Sequence, residues 1–377
     1  MRVSIVLLLV AAMSLPVYAV EQVTVQQLEQ KMSSQPPPPA SLPLQAVRDD
    51  QLAQLVGNFV LTERLSDARL ERISRKLQAG RFSKQALQVL AYRSAFFDPP
   101  ADELPTLPLP DAETQKRLIT TAGARLVGNL KHLPNFFATR TTTHFSGVPA
   151  DMNQSALLMR VGIFKHGVST HEITFRDGAE VIDPMKADAE PGLESGLESW
   201  GEFGPEPVVI LMDAAQSTTE FHHWEKTTRG LVAVFHYSVP RTASHYDVHY
   251  KCIGNEPFHD SPAYHGTFSI DSAMGVLMRI TLETESQAND PISHVSSIIE
   301  YSPMEIGERS YMCPVRSLAT MVEESNACAT EHHNPKLAQP MLMINQTEFT
   351  AYHRLGSTSR IVIDGDGRPF PPSQNEK

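Results

Sequence analysis

The chemistry this chain could perform starts with its 15 histidines, enough to make metal ligation the first reading to try. The densest ligand set is Ser244-His245-Tyr246-Asp247-Val248-His249. On a β-strand, side chains alternate between faces, so His245, Asp247 and His249 share one face while Tyr246, Val248 and Tyr250 take the other. Two imidazoles and a carboxylate form a ligand set for zinc or iron, and these three residues are the metal candidates. Consecutive same-face positions on one strand, however, stand about 6.5–7 Å apart. One ion cannot bridge them without help from another strand, so the spacing favours a polar, solvated sheet face. His222-His223 and His332-His333 are weaker sets. Neighbours on a strand point to opposite sides, and the second pair sits in a Glu/Asn/Pro-containing loop. HExxH is absent.

Other chemistries leave fewer traces. There is no GxSxG nucleophile elbow, no GxGxxG and no phosphate loop. Glu194, Glu198 and Glu202 recur at four-residue spacing, which lines one helical face. Glycoside hydrolysis needs two carboxylates facing each other across a cleft, whereas these are neighbours on one element. The aromatic residues Trp200, Phe203, Trp224, Phe235, Tyr237, Tyr246 and Tyr250 have two readings. They are sheet core, or some of them line a cavity for an acyl chain or peptide. Trp224, Phe235, Tyr237, Tyr246 and Tyr250 are the ligand-contact candidates, and periodicity does not separate the two readings. The sequence assigns no catalytic residue and no cofactor, and a non-enzymatic role is the favoured expectation.

The elements that must position these residues are mostly strands. Residues 231–285 contain four strand-like runs, the last two joined by Asp271-Ser272-Ala273-Met274-Gly275. Period-two alternation of Tyr264, Gly266, Phe268 and Ile270, then of Val276, Met278, Ile280 and Leu282, marks an antiparallel sheet with a covered side. In 231–239 both faces begin apolar, which places that strand centrally. Further strands are expected at 136–145, 157–165, 170–176, 208–212, 219–224, 292–301, 309–321, 343–352 and 357–363. Helices come first. Thr24 is placed to cap one; others occupy 44–95, with Ser66 and Ser83 as caps and Gly80 as a stop; Asp111 caps a long one at 112–132, ended by Pro134. Pro36–39 and the prolines at 99–110 read as extended linkers. The fold class is therefore α+β: an N-terminal helical region, then a large curved antiparallel β-sheet, half-open and barrel-like. The expected divisions are a signal peptide at 1–19, a helical region with Pro-rich linkers at 20–110, a helix-plus-sheet domain at 111–363 and a disordered tail at 364–377.

Composition narrows the functional classes. The formal net charge is −11, and no Lys/Arg cluster is present to track a phosphate backbone, which argues against nucleic-acid binding. Met1-Arg2, the apolar residues 3–17 and Val17-Tyr18-Ala19 read as a signal peptide cut after Ala19. No later apolar run reaches the roughly 20 residues of a spanning helix, so no stable transmembrane anchor is expected after cleavage, and the location is periplasmic or extracellular. The cysteines, Cys252, Cys313 and Cys328, are odd in number. At most one intramolecular disulfide can form, and its partners are not legible from spacing.

Two resemblances follow from quoted segments. YHGTFSIDSAMGVLMRITLE (264–283), IIEYSPMEIGERSYMCPVRS (298–317), the run 131–145 and VEQVTVQQLEQ (20–30) resemble exported soil-bacterial proteins of the acidobacterial type, a group that lends no function. Across 135–325, a strand followed by Asp-x-x-x-Gly and a second hairpin resembles the lipoprotein-carrier and envelope-stress-sensor fold, a half-open antiparallel barrel closed by helices. That resemblance implies binding of a hydrophobic ligand: a lipid, an acyl chain or a lipidated protein. The alternatives are a secreted metal-dependent hydrolase using the His-rich strands, and an envelope interaction scaffold that docks a partner through its helical region.

Overall fold

The structure is a computed structural model describing residues 20–152, 162–181, 197, 201–250, 257–287, 290–324 and 339–355. It is an α+β protein. Strands β1 (Glu21–Val23) and β2 (Phe59–Leu61) form a small parallel pair beside helices α1 (Val25–Ser33), α2 (Leu42–Gly57), α3 (Asp67–Leu77) and α4 (Arg81–Ser94). Helix α5 (Ala112–His132) leads into β3 (Phe136–Val148), β4 (Gly162–Arg176) and β5 (Ala179–Val181). Helix α6 (Pro205–Ala215) then precedes β6 (Thr218–Thr227), β7 (Gly230–Val239), β8 (Val248–Tyr250), β9 (Phe258–Asp260) and β10 (Ala263–Asp271). The chain continues through β11 (Leu277–Glu285), β12 (Ile292–Ile306), β13 (Arg309–Glu323) and β14 (Met341–Arg354).

Ten of these strands make one antiparallel sheet, in the order β5-β4-β3-β14-β13-β12-β11-β10-β7-β6, while β8 and β9 form a separate hairpin. β5 and β6 are its two edges, so the sheet is open rather than a closed barrel. Each face has its own cover. Along β12, Ile299 and Tyr301 join a cluster with α5 and α6 (Leu118, Ala122, Ile210, Ala214), and we call this face inner. Ile298, one residue away, joins Val89 of α4 together with Phe145, Leu318, Val322, Leu342 and Ile344 on the outer face. The strand period of two thus separates two apolar layers.

Helix ends follow local chemistry. Thr24 and Gln27 form a capping box at α1, and Asp111 accepts from the Thr114 N–H at α5. Several expectations change, among them the separation of the strands at 157–165 and 170–176, whose described residues form the single strand β4. Residues 208–212 are helical, within α6. Strand β7 lies next to an edge, not at the centre. Ser83 is inside α4, whose N-cap is Gly80, and Asp49 of α2 accepts from the Gly80, Phe82 and Ser83 N–H groups. Only residues 248–250 of the His245–Tyr250 run are strand. The strand expected at 357–363, most of that at 157–165 and the tail lie outside the described residues, as do Cys252, Cys328 and the His332-His333 pair. Cys313 is a free, buried thiol, pushed up to about 12 by burial.

Candidate functional site

The inner face beneath α5 and α6 is built from Ala233, Phe235, Tyr237 and Val239 of β7, Tyr264, Phe268 and Ile270 of β10, Leu277, Ile280 and Leu282 of β11, and Ile299 and Tyr301 of β12. Its aromatic rings are stepped across neighbouring strands. Phe235 stacks on Phe268 at 5.4 Å, and Tyr237 meets Tyr264 edge-on at 6.0 Å. Tyr237 also passes over Gly266 of β10 to donate its hydroxyl to the Thr281 carbonyl of β11. A Cβ at Gly266 would collide with that carbonyl and that hydroxyl, so the glycine is required by the close approach.

The ligand-contact candidates fall into three situations. Phe235 and Tyr237 are fully buried in this cluster. Trp224 and Tyr246 pack at its margin, with the Trp224 indole N–H donating to the Pro108 carbonyl at 2.9 Å. Tyr250 lies with Val248, Ile292, Met321 and Met343 in a neighbouring cluster that Tyr246 also touches. Four of the five therefore border one apolar layer and Tyr250 continues it. Trp200 is outside the described residues, while Phe203 sits with Phe136, Phe175, Phe349 and Tyr352 at the other end of the same face.

Polar groups run beneath the start of α6. Glu202 and Glu206, one helical turn apart in sequence, both point to the sheet. Arg140 of β3 bonds Glu202 at 3.0 Å and pairs with Glu180 at 3.3 Å. Ser317 donates to Glu202, Tyr301 donates to its backbone carbonyl, and Ser297 donates to Glu206 at 2.6 Å. Burial, reinforced by the Glu202 charge, pushes the Glu206 carboxyl up to about 8. Further along α6, buried Asp213 accepts from the Tyr264 hydroxyl at 2.7 Å and from the His245 N–H and Nδ1 at 2.8 and 2.6 Å. The bond to Asp213 raises the His245 pKa. An imidazole held by a buried carboxylate is the orienting half of a catalytic triad. No serine or cysteine side chain is bonded to it among the described residues.

The metal candidates separate. His245 turns to Asp213, away from the hairpin. Asp247 and His249 remain together and are joined by His259 of β9, which lies directly across from His249. One ligand atom from each of the three lies within 4.8 Å of the others. Asp98, His222 and His223 form a second such group. There, however, His223 is bonded to Glu225 at 2.9 Å and Arg64 to the same carboxylate at 2.7 Å. Despite its burial, Glu225 is held down at about 2 by His223, Arg64 and Arg279, so this second group is an ion-pair network already supplied with cations.

Sequence reasoning missed Glu206, Asp213, Arg140 and His259. Glu206 continues the four-residue spacing that ends in Glu202, and His259 repeats across a loop the His-in-strand pattern of His249. The other two carry no local signal. The chain matches no protein-family model, no curated protein and no solved structure.

Proposed function

We propose that this chain is a non-enzymatic binding protein, exported to the periplasm or beyond, that takes an acyl chain, a lipid or a lipidated partner on the inner face of its curved sheet. The observation that carries this reading is the composition of the cover. Of the sixteen buried side chains in the inner cluster, only Leu118, Ala122, Ile210 and Ala214 come from α5 and α6. Two of these are alanines, which bury little area. Ile119, Leu126 and Leu211 of the same helices pack on the cluster only partly buried, and α6 is further attached by polar contacts: Glu206 to Ser297 and Asp213 to Tyr264. Polar groups recover hydrogen bonds from water when a helix lifts, so such contacts oppose opening less than an equal apolar area does. What would open is the sheet's aromatic floor, and an acyl chain would restore its burial.

Two voids among the described residues do not serve this purpose. A cavity of about 70 Å³ lined by Met32, Ile73 and Leu77 and one of about 10 Å³ beside Val248 and Ile292 are far below the several hundred cubic ångströms of ligand pockets. Binding thus requires α5 or α6 to move. Native mass spectrometry of mature protein purified from a periplasm, compared with its denatured mass, is the test. The expected result is a lipid-sized mass present only in the native spectrum. A bare mass, together with no saturable binding of a fluorescent fatty-acid probe, rejects the reading.

A further inference from the structure

We infer that the hairpin β8–β9 is a surface binding site for a divalent transition-metal ion of the zinc class, held by Asp247, His249 and His259. Two same-face residues on one strand are too far apart to share an ion, but a residue directly opposite on an antiparallel partner lies only about 4.5–5.5 Å away at Cβ. Register supplies that partner: His249 pairs with His259, and Val248 with Asp260. The two imidazoles stack with centroids 4.3 Å apart. Asp247, just before β8, reaches diagonally so that its carboxylate lies 3.5 Å from His259 Nε2. Ser261, following β9, donates to the same carboxylate at 2.8 Å, which orients it.

These separations fit the chemistry. Four ligands at zinc bond lengths of about 2.0–2.1 Å stand about 3.3 Å from one another. The Asp247–His259 separation already matches, and the whole set needs to close from at most 4.8 Å. Asp247 and His259 are each 55 % exposed, so solvent leaves their side chains room to rotate, and the fourth position is left to water. Imidazole with one carboxylate suits zinc, nickel or copper(II) better than magnesium or calcium, which take oxygen ligands. The nearby cation does not compete. Arg241 is paired with Asp260, whose register partner is Val248, so Asp260 points from the opposite side of the hairpin.

The site is independent of the inner face and stands or falls apart from lipid binding. The test is calorimetric titration of tag-free mature protein with zinc chloride, followed by cobalt(II) absorption to report imidazole ligation. The expected result is one equivalent bound, weakened at least about tenfold in His249→Ala and in His259→Ala and lost in the double variant. His245→Ala and the pair His222→Ala/His223→Ala should bind as the parent does. Circular dichroism confirms that each variant folds, which the exposure of the hairpin residues favours. Absence of stoichiometric zinc at about 100 μM (about −5.5 kcal/mol), or an affinity unchanged in the double variant, overturns the proposal. So does loss of zinc only when His222 and His223 are replaced.

Discussion

At the scale of single residues, Glu206 is the most informative side chain. It is buried beneath α6, accepts from Ser297 and feels the charge of Glu202. Its folded value, about 8, lies above the ordinary carboxylate value of 4.5, so the folded chain holds a proton that the unfolded chain has released. Its contribution to stability is therefore complete below about pH 4.5 and lost progressively as the pH rises through about 8. Glu206→Gln keeps the shape and the hydrogen-bonding capacity while removing the titration. Thermal melts from pH 5 to 9 should show the parent protein losing several degrees more than the variant, with the two midpoints separating steadily between pH 5 and about 8 and running parallel above that. Profiles parallel throughout would mean that Glu206 is solvated. Tyr237 makes a complementary point. As a candidate ligand contact it is indistinguishable in sequence from a core residue, and only the neighbouring strand reveals that its hydroxyl is committed to Thr281 across Gly266.

At the scale of elements, the start of α4 is held by a carboxylate from another helix. Asp49 of α2 accepts from three backbone N–H groups at the first turn of α4 and from the Ser83 hydroxyl. Gly80 leaves room for that carboxylate, since a Cβ there would strike it. Asp49→Ala leaves several donors without a partner at a buried helix end, a loss of about 2–4 kcal/mol. Urea unfolding should show an earlier midpoint with an unchanged slope, whereas a midpoint within error of the parent would mean that water caps the helix equally well. This arrangement also explains what could be read in advance. Thr24 and Asp111 cap their own helices, so their positions in sequence were sufficient. The cap of α4 comes from a residue 31 positions before Gly80, and Ser83 stood in for it. Val208-Val209-Ile210-Leu211 reads as strand because short apolar β-branched runs do not distinguish a buried helix from a strand; in the structure Pro205 opens a helix there. The hairpin β10–β11 was legible from its turn and from the alternation in β10, but the register shift at Ser269/Ile270 brings Leu277, not Val276 or Met278, onto the inner face beside Ile280 and Leu282. The metal candidates were half legible: Asp247 and His249 share a face as their spacing requires, but the third ligand depends on a register that one strand does not encode.

At the scale of the whole molecule, the helical region packs against the sheet. Its helix α4 covers the outer apolar layer formed by Phe145, Ile298, Leu318, Val322, Leu342 and Ile344, and charged residues bind its edge to the sheet. Arg279 of β11 donates to the Ala95 carbonyl at 2.6 Å, just past the end of α4. Arg316 of β13 bonds Glu300 at 2.9 and 3.1 Å and reaches Asp67 of α3 at 3.0 Å. Burial, with the nearby charge of Arg64, lowers Arg279 to about 10, still cationic at neutral pH. Removing a buried cation from such a network leaves its partners undersatisfied, at a cost of about 2–4 kcal/mol. Arg279→Ala should therefore weaken the whole protein rather than release the helices alone. Far-ultraviolet circular dichroism reports mainly on the helices, while in a Trp200→Phe background, carried by parent and variant alike, Trp224 fluorescence reports on β6 at the far edge of the sheet. In the parent the two signals should fall together in urea, and in the variant they should fall together at lower urea. If the helical signal were lost first in the variant while fluorescence held at the parent midpoint, the two layers would be separable. The helical region could then leave the sheet to meet a partner, which is the scaffold reading. Coincident loss instead means that the outer layer is permanent cover, and that any opening of this molecule belongs to α5 and α6 on the inner face.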